Sequence, residues 1–290
     1  MSNLNKYLEL TKPKVTLLNL FVGVTCFLLA ELPSVNWLAL AIFLVVGYSA
    51  VGGCGVLNCY FDRDLDADME RTSKRAIPAG RIAPVKALIY GIIMTLAGLM
   101  AAYFFFGVLT SLLVSLGIIF YVLVYTVTLK RTSRWNVLLG AIAGPFAALA
   151  GWTATGSSLS LIPVLIGMVD FLWTPGHLWC LAIRMVKEYK SAGVPMLPAV
   201  SGLAEASKFV FLFNVAAICC SLVFLAFGAV GLIYSVIACI AGAKLIVESK
   251  RLLVTKDGAQ AFRLFMTTSP YLATIMIALL LDKLVLIRVL

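Results

Sequence analysis

The chain is poor in charge. Only 12% of its 290 residues are Asp, Glu, Lys or Arg, about half of what a soluble domain carries. With 62% hydrophobic residues and a mean hydropathy of +1.04, this is the composition of a polytopic membrane protein. Acids are the scarcer sign, 13 against 23 bases, for a net charge of +10. That excess does not point to nucleic acid, because the bases fall between apolar spans instead of clustering on a water-facing surface. The seven cysteines form no CxxC pair and most lie inside apolar runs, which fits small apolar packing and argues against zinc or disulfides. Met1 to Lys14 is polar and lacks a small-residue cleavage pattern, so it does not read as a signal peptide. Histidine occurs once, as His177.

Apolar runs fill most of the remainder. A helix needs about 20 apolar residues to cross a bilayer. Nine segments qualify, roughly 15–31, 37–60, 84–105, 109–129, 137–156, 160–183, 208–228, 230–247 and 267–287. The expected fold is all-α, a single membrane domain over residues 1–290, with short connections between antiparallel neighbours. Gly47, Gly52, Gly53 and Gly55 would let the second span approach its neighbours closely.

Of the 23 bases, 21 fall at the N-terminus and in every second connection, and only Lys283 and Arg288 lie at the other side. The positive-inside rule then places the N-terminus and the charged loops in the cytoplasm and the C-terminus outside. The plasma membrane is the expected location. The two long polar loops echo each other: Asp62 is followed by Pro78-Ala79-Gly80, and Glu188 by Pro198-Ala199. Two four-helix units plus a ninth helix would produce that echo.

The densest charge is the run from Asn58 to Ile82, with five acids between Asp62 and Glu70 and bases after them. On a helix Asp62 and Asp66, four apart, share a face, and Asn58 lies one turn earlier. Two unpaired carboxylates there repel. A Mg²⁺ ion bridging them to a diphosphate would remove that cost, because Mg²⁺ takes one or two carboxylates plus substrate phosphates. Arg71, Lys74 and Arg75 could meet the outer phosphate oxygens. The same run reads equally well as a solvated loop of mixed charge. Asp64 and Asp68 lie on the other face, toward water.

The run Asn58, Asp62, Asp66, Met69, Arg71, Thr72, Arg75, Pro78, Gly80 closely resembles the first motif of the intramembrane prenyltransferases, and within them their heme-farnesylating branch. Leu10-Thr11-Lys12-Pro13-Lys14-Val15 resembles the start of that family's first span. Tyr125-Thr126, with Leu129 to Thr132 and Asn136, resembles its span 4–5 junction. Gly144-Pro145 and Gly151-Trp152 resemble span 5, Phe171 to Trp179 span 6, and Glu188-Tyr189 with Ala192 to Pro198 the second polar loop. The resemblance covers about residues 7–202. Two positions depart from it: Gly176 stands where a second proline is usual, and Glu188 where an aspartate is usual. Ala192, four beyond Glu188, leaves no second acid pair, as in the heme branch.

The resemblance implies transfer of a farnesyl group from farnesyl diphosphate to a vinyl group of heme B, giving heme O, with Mg²⁺ as cofactor. It implies Asn58, Asp62, Asp66 and Glu188 as metal ligands. It makes Arg71, Lys74, Arg75, Lys130, Arg131, Lys187 and Lys190 the pool for the diphosphate. Tyr125 and Tyr189 could donate to phosphate or flank the allylic cation. Heme A synthase and a terminal oxidase are the partners that heme O supply implies. His177 reads either as a hydrogen-bonded helix contact or as a heme contact. Asp170, seven residues earlier and deep in the span, is a functional-site candidate by its position. Trp152, Trp173 and Trp179 read as packing or interface residues. Two rival readings stand beside this one. The first is a prenyltransferase acting on an aromatic quinone precursor or lipid. The second is a transporter, which would place its polar groups near the bilayer midplane.

Overall fold

In lipid every backbone N–H needs an internal acceptor, so spanning segments are helices or closed barrels. The computed structural model describes residues 3–289, and among them only helices, turns and loops occur. In chain order these are α1 (Asn3–Leu10), α2 (Pro13–Glu31), α3 (Trp37–Phe61), α4 (Arg63–Asp68), α5 (Pro84–Ile118), a π-helical segment (Ile119–Leu129), α6 (Lys130–Thr132), α7 (Asn136–Gly140), α8 (Ala143–Thr153), α9 (Leu161–Arg184), α10 (Val186–Ser191), α11 (Leu197–Ala226), α12 (Leu232–Thr255) and α13 (Gly258–Val289).

Eight helices among the described residues are long and apolar enough to cross a membrane. The difference from nine lies in one element. Pro84–Thr132 runs for 49 residues as a single helical stretch, about 74 Å at 1.5 Å per residue, against a hydrocarbon core of about 30 Å. It is broken at Gly107, whose φ of 82° and ψ of −176° are not helical. That break falls between the expected segments 84–105 and 109–129. Elsewhere the helices outrun their apolar cores. α12 and α13 extend into the basic connection between them, so most of that expected loop is helical. The side chain of Arg288 lies outside the described residues.

α2, α3, α5 and α8 pack together, and α9, α11, α12 and α13 form a second group. α2 also touches α9 and α13, and α8 touches α9, which joins the groups. The contact of α3 with α5 is backbone-close: a Cβ on Gly53 would lie 2.6 Å from Thr95 N, and one on Gly98 2.5 Å from Ala50 N. This is the close approach that small residues permit in membranes.

Candidate active site

α3 ends at Phe61, but its helical winding carries on through the junction with α4. The Asp62 N–H donates to Asn58 O at 2.9 Å, and the Asp66 N–H to Asp62 O at 2.7 Å. Asn58, Asp62 and Asp66 therefore share a face. All three are buried, at 2%, 0% and 4% exposure. Carboxylates so placed require partners. Arg75 Nη1 donates to both oxygens of Asp66, at 2.8 and 2.7 Å. Lys130 Nζ donates to Asp62 Oδ2, and Lys12 Nζ to Asn58 Oδ1. Asn58 Nδ2 donates to Thr126 Oγ1 at 2.9 Å, and Thr126 Oγ1 donates to Tyr121 O at 2.8 Å. Burial opposes the charge on Arg75, and Asp66 beside it outweighs that and raises its pKa.

The sequence places Lys12 among the N-terminal bases and in the run that resembles the start of the family's first span, but not among the site residues. Here it sits in the left-handed region, at φ 50° and ψ 60°, immediately before the proline that opens α2. That conformation is costly for a residue with a Cβ and is typical of functional sites. Burial pushes its pKa below the ordinary lysine value. The readable signal was a lysine held directly before a helix-opening proline in an otherwise apolar stretch.

Lys130 reaches the same spot because of the π-helix. In an α-helix, positions 121 and 130 point to opposite sides, since nine residues at 3.6 per turn make two and a half turns. At about 4.4 residues per turn, nine residues make close to two full turns, and the two positions align. Tyr121 and Lys130 thus face one site, with Thr126 between them. Tyr125 stacks on Tyr121 at 5.8 Å.

The donor set suits a hard cation. Asp62 Oδ1 is buried and has no hydrogen-bond partner among the described residues, an oxygen left free on the face it shares with Asn58 and Asp66. Among the described residues no three His, Cys, Asp or Glu converge into a cage. The residues therefore fit an ion such as Mg²⁺ completed by substrate phosphate oxygens, the usual manner for that ion.

The other expected residues are spread more widely. Glu188, half-buried on α10, accepts from the Arg71 N–H at 3.4 Å, and Tyr189 beside it is buried. Arg71, Lys74, Lys187 and Lys190 are exposed. Arg131 is engaged elsewhere: it forks onto both oxygens of Asp64 at 2.6 Å and donates to Phe61 O at 2.7 Å. Those hydrogen bonds hold the Asp64 carboxyl down at about 2. His177 is sandwiched between Trp173 at 4.4 Å and Phe265 at 4.2 Å, with Nδ1 2.7 Å from Thr268 Oγ1. Asp170 packs against α8, where a Cβ on Gly144 would lie 2.1 Å from its Oδ2.

Gly176 has a steric reason. A Cβ there would lie 2.2 Å from Asn214 Oδ1, and Asn214 is tied to Ser249 at 2.9 Å. In this chain the position is filled from α11, so a second proline has no room.

From the polar cluster an apolar cavity runs inward between α2, α3, α5, the π-segment and α8. It contains about 860 Å³ of empty space, its open mouth included. Lys12 and Tyr121 line its polar end.

A helical membrane body, a buried oxygen-donor face ringed by cations and an apolar cavity beneath it define a protein that handles a lipid diphosphate. The chain belongs to the UbiA prenyltransferase family, whose model matches residues 18–271. It is 40% identical over 280 residues to protoheme IX farnesyltransferase 1 of Cenarchaeum symbiosum (strain A), covering 95% of this chain and 94% of that one. It is 36% identical over 279 residues to the longer protoheme IX farnesyltransferase of Chloroflexus aurantiacus (strain ATCC 29366 / DSM 635 / J-10-fl), covering 96% of this chain and 48% of that one. Its fold matches a structure solved in work on digeranylgeranylglyceryl phosphate synthase, at TM-score 0.77 and 18% identity, covering 98% and 99% of the two chains. It also matches a UbiA homolog from Archaeoglobus fulgidus bound to DMAPP and Mg²⁺, at TM-score 0.70 and 17% identity, covering 94% and 99%. With its long apolar helices, the chain is an integral membrane protein.

Proposed function

We propose that the chain is a protoheme IX farnesyltransferase, transferring a farnesyl group from farnesyl diphosphate to a vinyl group of heme B, with addition of water, to give heme O and diphosphate. The observation that carries the reading is the buried face of Asn58, Asp62 and Asp66, with Asp62 Oδ1 left free, above an apolar cavity. The heme acceptor rests on the likeness to the relatives named above. Bound Mg²⁺ would neutralise the diphosphate and draw electrons from the breaking carbon–oxygen bond. Asn58, Asp62 and Asp66 would hold the ion, with Glu188 reaching it from the second loop.

Lys12, Lys130 and Arg75 then serve as preset cations. In the free enzyme each is paired with a residue of the acidic face. A diphosphate bound with its metal competes for them, so negative charge developing on the leaving group meets cations already in place. Arg71, Lys74, Lys187 and Lys190 form the exposed rim that draws in the diphosphate, and Arg131 holds the α3–α4 turn through Asp64. Tyr121, Tyr125 and Tyr189 flank the place where the allylic cation forms. As the C1–oxygen bond breaks, a heme vinyl carbon bonds to C1. Water then adds to the resulting cation and releases a proton. No protein nucleophile is needed, and catalysis is positioning and electrostatics. His177 can offer a heme only Nε2, because Nδ1 is held by Thr268. The site faces the cytoplasm across the plasma membrane, and heme A synthase or a terminal oxidase would receive the product.

The test is product mass. Protein in detergent receives heme B, farnesyl diphosphate and Mg²⁺, beside an Asp62→Ala control. A farnesylated, hydrated heme that disappears in the control is expected. Turnover on an aromatic acceptor with heme unmodified would overturn the heme assignment and leave the prenyltransferase standing.

A further inference from the structure

The apolar cavity has a floor, and the floor has an identifiable residue. The lining residues of α3 nearest the polar cluster are Cys54 and Gly55, and the one farthest from it along the helix is Phe43. Cys54 lies eleven positions beyond Phe43, about 16.5 Å along the helix at 1.5 Å per residue. α2 runs the other way and gives a matching depth, from Lys12 to Gly23. Immediately past Phe43 the helices close. A Cβ on Gly23 would lie 3.1 Å from the Phe43 ring and 3.0 Å from Ala147 O, and one on Gly151 1.9 Å from Gly23 O. Behind the ring lies a buried apolar cluster of Phe27, Leu40 and Ala154, with Phe27 at 5.7 Å and Phe106 at 6.0 Å from Phe43 between ring centroids. The ring therefore plugs a channel that would otherwise continue into apolar packing.

That depth selects among prenyl chains. Carbon–carbon bonds of about 1.5 Å at a zigzag angle near 111° advance about 1.25 Å each. The twelve in-line carbons of a farnesyl chain extend roughly 14 Å by that measure, and the sixteen of a geranylgeranyl chain roughly 19 Å. The first fits within the Cys54-to-Phe43 depth of about 16.5 Å; the second does not.

We propose that Phe43 is the residue that sets the prenyl chain length, stopping the channel at the depth of a fifteen-carbon tail. The proposal deepens the prenyl-donor reading and does not depend on the acceptor. Competition binding of non-hydrolysable ten-, fifteen- and twenty-carbon thiodiphosphates, with Mg²⁺ and no heme, tests it on the full chain in detergent. Wild type is expected to favour fifteen carbons over twenty by about tenfold or more. Phe43→Ala is expected to erase or invert that preference by opening the channel into the cluster behind it. Phe43→Leu, a milder change that keeps the packing closer to native, is expected to fall between. Phe43→Trp is expected to shift preference toward ten carbons. Unchanged ratios in variants whose melting temperatures match wild type would overturn the assignment, as would a wild type indifferent to chain length. Binding of no prenyl thiodiphosphate by folded wild type would overturn it together with the donor reading. Normal chain selectivity in a protein that leaves heme unmodified would count against the acceptor alone.

Discussion

Lys12 and His177 illustrate what single residues decide. Lys12 is a half-buried cation in a left-handed conformation, bonded to the neutral side chain of Asn58. Partly burying an ammonium with no carboxylate bonded to it costs free energy, so its presence asks for an anion that arrives later. Lys12→Met is therefore expected to lower kcat/KM for farnesyl diphosphate by ~10²–10³-fold while the melting temperature holds or rises. Steady-state kinetics beside a thermal melt in detergent reads both, and a lowered melting temperature with intact kinetics would assign Lys12 to packing. His177 poses the opposite question, since two aromatic rings and Thr268 already satisfy most of it. His177→Phe keeps the stack and removes the ring nitrogens. Its expected outcome is a near-native melt with weaker heme B binding in an absorbance titration. Heme binding of wild-type strength would make His177 a packing residue of the α9–α13 contact.

At the scale of elements, the most informative features are where helices deviate or need help. Pro175 removes a hydrogen bond inside α9, and the next residue, Gly176, takes the Asn214 amide against its backbone. Gly176→Ala is expected to destabilise by about 1–3 kcal/mol through overpacking. Combining it with Asn214→Ala should recover much of that loss, a coupling that denaturation of the four proteins of the cycle would measure. A chain in which the two losses simply add would show that the contact is not the cause. α12 opens at Gly231, which has no side chain to cap it. Asp282 of α13 supplies the missing acceptor, taking the N–H of Gly231 and, at 3.1 Å, that of Tyr234. Asp282→Ala is expected to cost about 1–2 kcal/mol, with hydrogen exchange rising first at the start of α12. Exchange rising uniformly would argue against a local cap. The sequence showed neither arrangement, because each pairs residues more than thirty positions apart on different helices.

For the whole molecule, the basic loops and the acidic face lie at one end of the bundle and the cavity floor lies toward the other. If that end is cytoplasmic, a cysteine placed at Ser158, exposed between α8 and α9, should react with a membrane-impermeant maleimide in intact cells. One placed at the loop residue Ser73 should react only after permeabilisation. The reverse pattern would invert the orientation.

Much of this was already written in the sequence. The spans follow from hydrophobic length, the proposed orientation from where the bases fall, and the Asn58–Asp62–Asp66 face from a four-residue spacing. Each is a local rule along one dimension, and a sequence obeys it without knowing its neighbours in space. Only the tertiary structure decided that Lys12 and Lys130 reach Asn58 and Asp62, 46 and 68 positions away. The second of those contacts depends on π-winding that shifts the helical period away from 3.6. It also decided that Arg131 turns to Asp64 and that Phe43 ends the cavity. Those outcomes arise from packing between helices, where one side chain fills what another leaves open, and no period along the chain encodes which partner will be there.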